Sequence, residues 1–130
     1  MNVLNELKMK VELLELEVAI ESLKAEYNEP SFRRRLVSDF GRLISKLETM
    51  TIPDDTASVT KAAHLMRRHL YLRCKEVLVM LRKSRHMISK YEKHALEKMQ
   101  ELFTPMELFV ETCKSYFEEQ EINELKRQRI

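Results

Sequence analysis

The side chains with chemical potential in this chain are four histidines, two cysteines and a set of arginines. His64, His69, His86 and His94 follow one another at steps of 5, 17 and 8 residues. A metal site on a helix needs ligands three or four residues apart, so that they share one face. No histidine here has a second His or Cys at either step, and Cys74, five residues past His69, falls to its side. No metal and no cofactor are expected. Cys74 and Cys113 each fall within an apolar helical row, with 38 residues between them. That is how buried free thiols are used, and it points to a reducing, intracellular compartment.

Paired carboxylates facing each other across a bundle could carry acid–base chemistry, but the glutamates here lie on hydrophilic faces, where solvation accounts for them. Asp39-Phe40-Gly41 spells the metal-binding triplet of kinases without the glycine-rich loop, strands or catalytic loop that give it meaning. One glycine in the whole chain also excludes phosphate loops and dinucleotide fingerprints. A helical enzyme would need arginines such as Arg67 or Arg73 to converge on an internal cavity. Nothing else of such a site is visible, and the chain is read as non-enzymatic.

What remains is a distribution of charge. Residues 61–98 carry 11 basic and 3 acidic side chains, whereas 1–29 carry 3 and 7, and 99–130 carry 4 and 7. Acidic ends thus flank a basic middle. Packing with complementary charge is the simplest reading; the sharper one is a basic face open to nucleic acid or an acidic partner. For nucleic acid the candidates are Arg82, Lys83, Arg85 and Lys90, joined by Arg67 and Arg68. They lack interleaved aromatics, and no helix-turn-helix corner is present.

These residues must be positioned by helices. One Gly and three Pro leave little turn material, and no strand-like alternation occurs. The expected fold is all-α: a bundle of four to five helices with a long central helix and no β-sheet, spanning 1–120, followed by a charged tail at 121–130. No run of 18 apolar residues exists and the N-terminus is too acidic for a signal peptide, so no membrane association is expected.

The organising helix covers 61–81. Ala63, Met66, Leu70, Cys74, Val77 and Leu81 recur at 3 and 4 residue steps, which predicts one buried face. A second row, Ala62, Leu65, Leu72 and Val79, requires cover on another side. The first helix is expected over 3–27, with Val3, Leu7, Val11, Leu14, Val18 (or Ile20) and Leu23 inward, ending before Pro30. Ser31 would cap the second, burying Phe32, Leu36, Phe40, Leu43 (or Ile44) and Leu47, with Arg33, Arg34 and Arg35 as a basic corner suited to a carboxylate. Pro53 breaks the chain, and Asp54, Asp55 or Thr56 caps the central helix. The pattern lapses at 82–86, which predicts a projecting charged turn or a bend, and resumes at Met87, Ile88, Tyr91, Ala95, Met99 and Leu102. Thr104-Pro105-Met106-Glu107 reads as a capping box opening a last helix that buries Leu108, Phe109, Thr112, Cys113 and Tyr116 or Phe117. The tail is expected to fray or to serve a partner.

Several short runs resemble the helical domain of GINS subunits, in the class where that domain comes first. Leu70-Tyr71-Leu72-Arg73-Cys74-Lys75 resembles the family's Y-L-R-C-R run, and Leu102-Phe103-Thr104-Pro105-Met106-Glu107-Leu108-Phe109 its L-S-P-E-E-L-x-F stretch. Leu14 to Pro30 and Leu43 to Met50 are similar to its first and second helices. Family members usually add a small β-rich domain, for which these residues leave no room. The resemblance implies a DNA-replication scaffold that joins other GINS-type subunits or itself, as a dimer or tetramer, and links the MCM helicase to a RecJ-like partner. Its location would be cytoplasmic and nucleoid-associated in an archaeon, nuclear in a eukaryote. Leu70, Leu72, Val77, Val79 and Leu81 would pack at the interface, with Arg67, Arg68 and Arg73 pairing with acidic neighbours.

Overall fold

The computed structural model describes residues 3–29, 33–84 and 89–128. Five helices occur among them: α1 Val3–Asn28, α2 Arg33–Thr49, α3 Ser58–Ser84, α4 Ser89–Gln100 and α5 Phe103–Gln128. No strand occurs among the described residues. The all-α bundle with a long central helix is the architecture observed. Ser31, Phe32, Arg85, His86, Met87 and Ile88 lie outside the described residues, as do the side chains of Arg33 and Arg34.

Helix α3 packs on α2, α4 and α5, and α1 closes the bundle against α2 and α5. Ala63, Leu70, Cys74, Val77 and Leu81 are buried, with Met66 half-buried, as their spacing predicts. Leu36, Phe40, Leu43, Ile44 and Leu47 of α2 are buried too. Phe40 and Phe109 are fully enclosed. Burying one such side chain stabilises the fold by about 1.5–3 kcal/mol. Helix α2 runs antiparallel to α1, since Glu12 meets Thr51, Glu15 meets Lys46, and Glu26 faces Asp39. Helix α5 does the same on the other flank: Tyr27 packs edge-on to Phe103, Lys24 bridges Glu107 at 2.7 Å, and Glu17 meets Lys114.

Three expectations are corrected. In α1 the inward row is Met9, Leu13, Leu16, Ile20 and Leu23, while Val3, Leu7, Val11, Leu14 and Val18 face outward. Both rows have helical spacing, and the one that meets α2 and α5 is the one that is buried. In α5, Leu108 is exposed, and the helix starts at Phe103 with the Met106 amide bonded to the Leu102 carbonyl, ahead of the Thr104 cap that the sequence suggests. Helix α5 continues to Gln128, through the charged stretch after residue 120, with every side chain from Glu118 to Gln128 exposed. Within the charged run that begins at Arg82, α3 ends at Ser84, whose hydroxyl donates to the Leu81 carbonyl at 2.7 Å, and α4 begins at Ser89.

The connection from α2 to α3 is pinned by side chains. The Glu12 carboxylate accepts both the Thr51 amide and the Thr51 hydroxyl. The Arg67 guanidinium donates to the Met50 carbonyl, and the His64 Nε2 lies 2.8 Å from the Pro53 carbonyl. Asp55 accepts the Ala57 amide at 3.0 Å, an Asx turn that leads into α3, whose first helical bond runs from the Lys61 amide to the Ala57 carbonyl.

Candidate interaction surfaces

Helix α1 presents the largest outward apolar feature. Leu4, Leu7, Val11, Leu14 and Val18 follow one another at 3, 4, 3 and 4 residues, with Val3 beside them, and are 53% to 75% exposed. That is the a/d repeat of a coiled-coil seam. Exposed apolar side chains arranged in a continuous stripe of this length mark an interaction site. Charged residues border it. Lys8 and Glu15 lie along one edge, with Glu15 held by Lys46 of α2 at 3.5 Å. Lys10 and Glu17 lie along the other, with Lys10 above the Phe117 ring and Glu17 joined to Lys114 of α5. Beside the stripe, Val11, Leu14, Val18 and Ala19 line an open groove of about 410 Å³ toward α2.

The sequence assigned Val3, Leu7, Val11, Leu14 and Val18 to the core and passed over Leu4. The signal that marks them is the presence of two complete 3–4 rows on one helix, only one of which a single layer of neighbours could cover.

The residues expected at a partner interface on α3 divide. Leu70, Val77 and Leu81 are buried within the chain, where they pack the core and have no surface to offer. Arg67 is half-buried and engaged with the Met50 carbonyl. Leu72, Val79, Arg68 and Arg73 are exposed, and with Leu65 they leave an apolar side chain every seventh residue along α3.

Of the basic candidates, Arg82 lines a second groove, of about 640 Å³, between α2 and α3. Arg42, Lys75 and Arg82 line it together with Val37, Ile44 and Tyr71. The single glycine, Gly41, forms part of its wall. A Cβ there would meet only the Arg82 guanidinium at 3.8 Å, an ordinary contact, so the bundle itself does not require glycine at this site. Lys83 and Lys90 are exposed but do not line this groove, and Arg85 lies outside the described residues.

Two features are chemically unusual. Burial of the Glu26 carboxyl, followed by the Asp39 carboxylate facing it, pushes the Glu26 pKa up to about 7 against the pull of Arg35 and Arg42. Arg35 therefore acts on a carboxylate of its own chain. Burial also pushes the Cys74 and Cys113 thiols up to about 12, opposed by Arg73 and Arg67 respectively. Both are free, fully enclosed and unreactive in this state. Among the described residues no group of three or more His, Cys, Asp or Glu is placed to hold a metal ion, and no helix is long and apolar enough to cross a membrane.

Compared with protein-family models, with curated proteins and with solved structures, the chain matches none.

Proposed function

We propose that this protein is an assembly subunit whose role is to hold other helices, and that it does no chemistry of its own. The observation that carries this reading is the α1 stripe from Leu4 to Val18, apolar at every a and d position yet outside the core. Leaving it in water forfeits the free energy that each such side chain gains on burial. A helix laid along it recovers that loss, and the glutamates and lysines on both edges select which helix fits.

The runs that resemble GINS subunits supply the biological setting of the proposal: a replication scaffold linking the MCM helicase to a RecJ-like partner. Purification of the tagged full chain from its own cells, in wild-type and Leu14→Glu forms, tests both parts. The expected result is recovery of GINS-type and MCM subunits with the wild type and their loss with the variant. A wild-type chain that brings down neither overturns the replication setting. Recovery untouched by Leu14→Glu overturns the α1 surface.

Nucleic-acid binding is a second reading, favoured by Arg42, Lys75 and Arg82 sharing one groove. Binding that falls steeply with salt and is lost in Arg82→Glu would displace the first reading.

A further inference from the structure

The occupant of the α1 stripe is written in the charges that border it. Along one edge the order from the N-terminus is Lys8 then Glu15; along the other it is Lys10 then Glu17. Both edges therefore change from positive to negative in the same direction. A helix carrying that pattern is complementary to itself when reversed. We propose that a second copy of this chain covers the stripe, with the two α1 helices antiparallel, which deepens the assembly reading and rests on it.

In that arrangement Leu7 packs against Val18 of the second copy, and Val11 against its Leu14, each layer occurring twice by symmetry. Lys8 then lies opposite the second copy's Glu15, and Lys10 opposite its Glu17, which makes four attractive pairs. A parallel, in-register pair forms only two, between Lys10 and Glu15. It also places Glu21, the next residue in line after Val18 and one that is largely exposed, against its own counterpart, whereas the antiparallel register sets each Glu21 beside Leu4 of the other copy, at the end of the seam and with no like charge facing it. Like charges brought together at a seam set orientation.

The monomer already holds half of the edge in place. Lys46 grips Glu15 through one oxygen, and Lys114 grips Glu17 in the same way. A carboxylate has two acceptor oxygens, so each can take a lysine of the second copy beside the one it already meets. Lys10, set over Phe117, is likewise directed by α5 rather than left to wander. Ordering these side chains in advance lowers the entropy lost on pairing.

The area suits a weak dimer. Leu7, Val11, Leu14 and Val18, which form the four layers, offer on the order of 400 Å² per copy, so two copies bury roughly 800 Å² there, and the flanking side chains of the seam add to it. Valine or leucine at the a positions with leucine at Leu7 and Leu14 suits a two-stranded seam.

Sedimentation equilibrium of the full chain tests the inference. A dimer is expected at micromolar concentration, with Leu14→Glu weakening it on the order of 100-fold by placing an unpaired charge in the seam. Circular dichroism should show unchanged helix content, because Leu14 is exposed in the monomer. Lys8→Glu alone should weaken the dimer, and Lys8→Glu with Glu15→Lys should restore it. In a parallel pair Glu15→Lys instead brings a second positive charge against Lys10 of the other helix, and the double change restores nothing. A chain that stays monomeric at 100-fold higher concentration, or a double variant no better than the single, overturns the proposal. Loss of self-association while GINS-type or MCM subunits are still recovered through α1 would leave the assembly reading standing and remove only the second copy.

Discussion

Glu12 on α1 holds Thr51 twice, accepting the backbone amide through Oε2 and the hydroxyl through Oε1, the latter at 3.0 Å. Thr51 sits just past the end of α2, where the chain leaves one helix and has not begun the next. A single carboxylate thereby fixes the turn between α2 and α3 to a helix 39 residues earlier in sequence. Hydrogen bonds to a charged group contribute about 1.5–3 kcal/mol each when well formed.

Glu12→Ala should therefore destabilise the chain by about 2 kcal/mol, most of it from the unmet Thr51 amide. Glu12→Gln keeps an acceptor but lacks the charge, and should lose about half as much. Urea unfolding at neutral pH measures both. Equal losses in the two variants would mean that charge adds nothing to this contact.

Glu26 predicts a pH dependence of unusual sign for a carboxyl. Its pKa stands at about 7 in the folded chain against an ordinary 4.5, so the folded state binds the proton more tightly than the unfolded state does. The contribution is fully present below about pH 4.5 and is lost as pH rises through about 7. Glu26→Gln, a neutral mimic able to donate to Asp39, should remove this dependence. The stability of the variant relative to wild type should grow between pH 5 and 8 in denaturant titrations; parallel curves would place the raised pKa elsewhere.

Gly41 is predicted to be a cost to the fold. In a helix interior glycine is less favourable than alanine by about 0.8–1 kcal/mol, and the added methyl has an ordinary contact distance to Arg82. Gly41→Ala should raise the urea midpoint without changing the slope. A lower midpoint would show that the α2/α3 groove is tighter than its geometry implies.

Much of this architecture could be read before the structure. The rows of α2 and α3 were legible because each has one dominant apolar face and, on the far side, arginines and lysines that belong in water. Pro53 marked the break between α2 and α3, and α3 ends at Ser84, inside the charged run. Helix α1 was not legible in the same way. Leu7, Val11 and Leu14 have the same period as Met9, Leu13 and Leu16, and periodicity gives a direction relative to the helix axis but not which side has neighbours. The same limit applied to Leu70, Val77 and Leu81, whose spacing fits a core or an interface equally. Glu26 escaped notice because its partner Asp39 lies on another helix, and pairing across helices leaves no trace in local spacing.

The two rows of α1 also tie the fold and the assembly to one ruler. Adding a single residue near Lys10 would turn everything beyond it by about 100° around the axis. Leu13, Leu16 and Ile20 would swing out of the bundle in the same movement that carries Leu14 and Val18 away from the seam. Substitutions can separate the inner row from the outer one, but a change of length cannot. Across lineages, α1 should therefore tolerate exchanges of residue type far better than insertions or deletions, and its length should vary less than that of the stretch between α2 and α3.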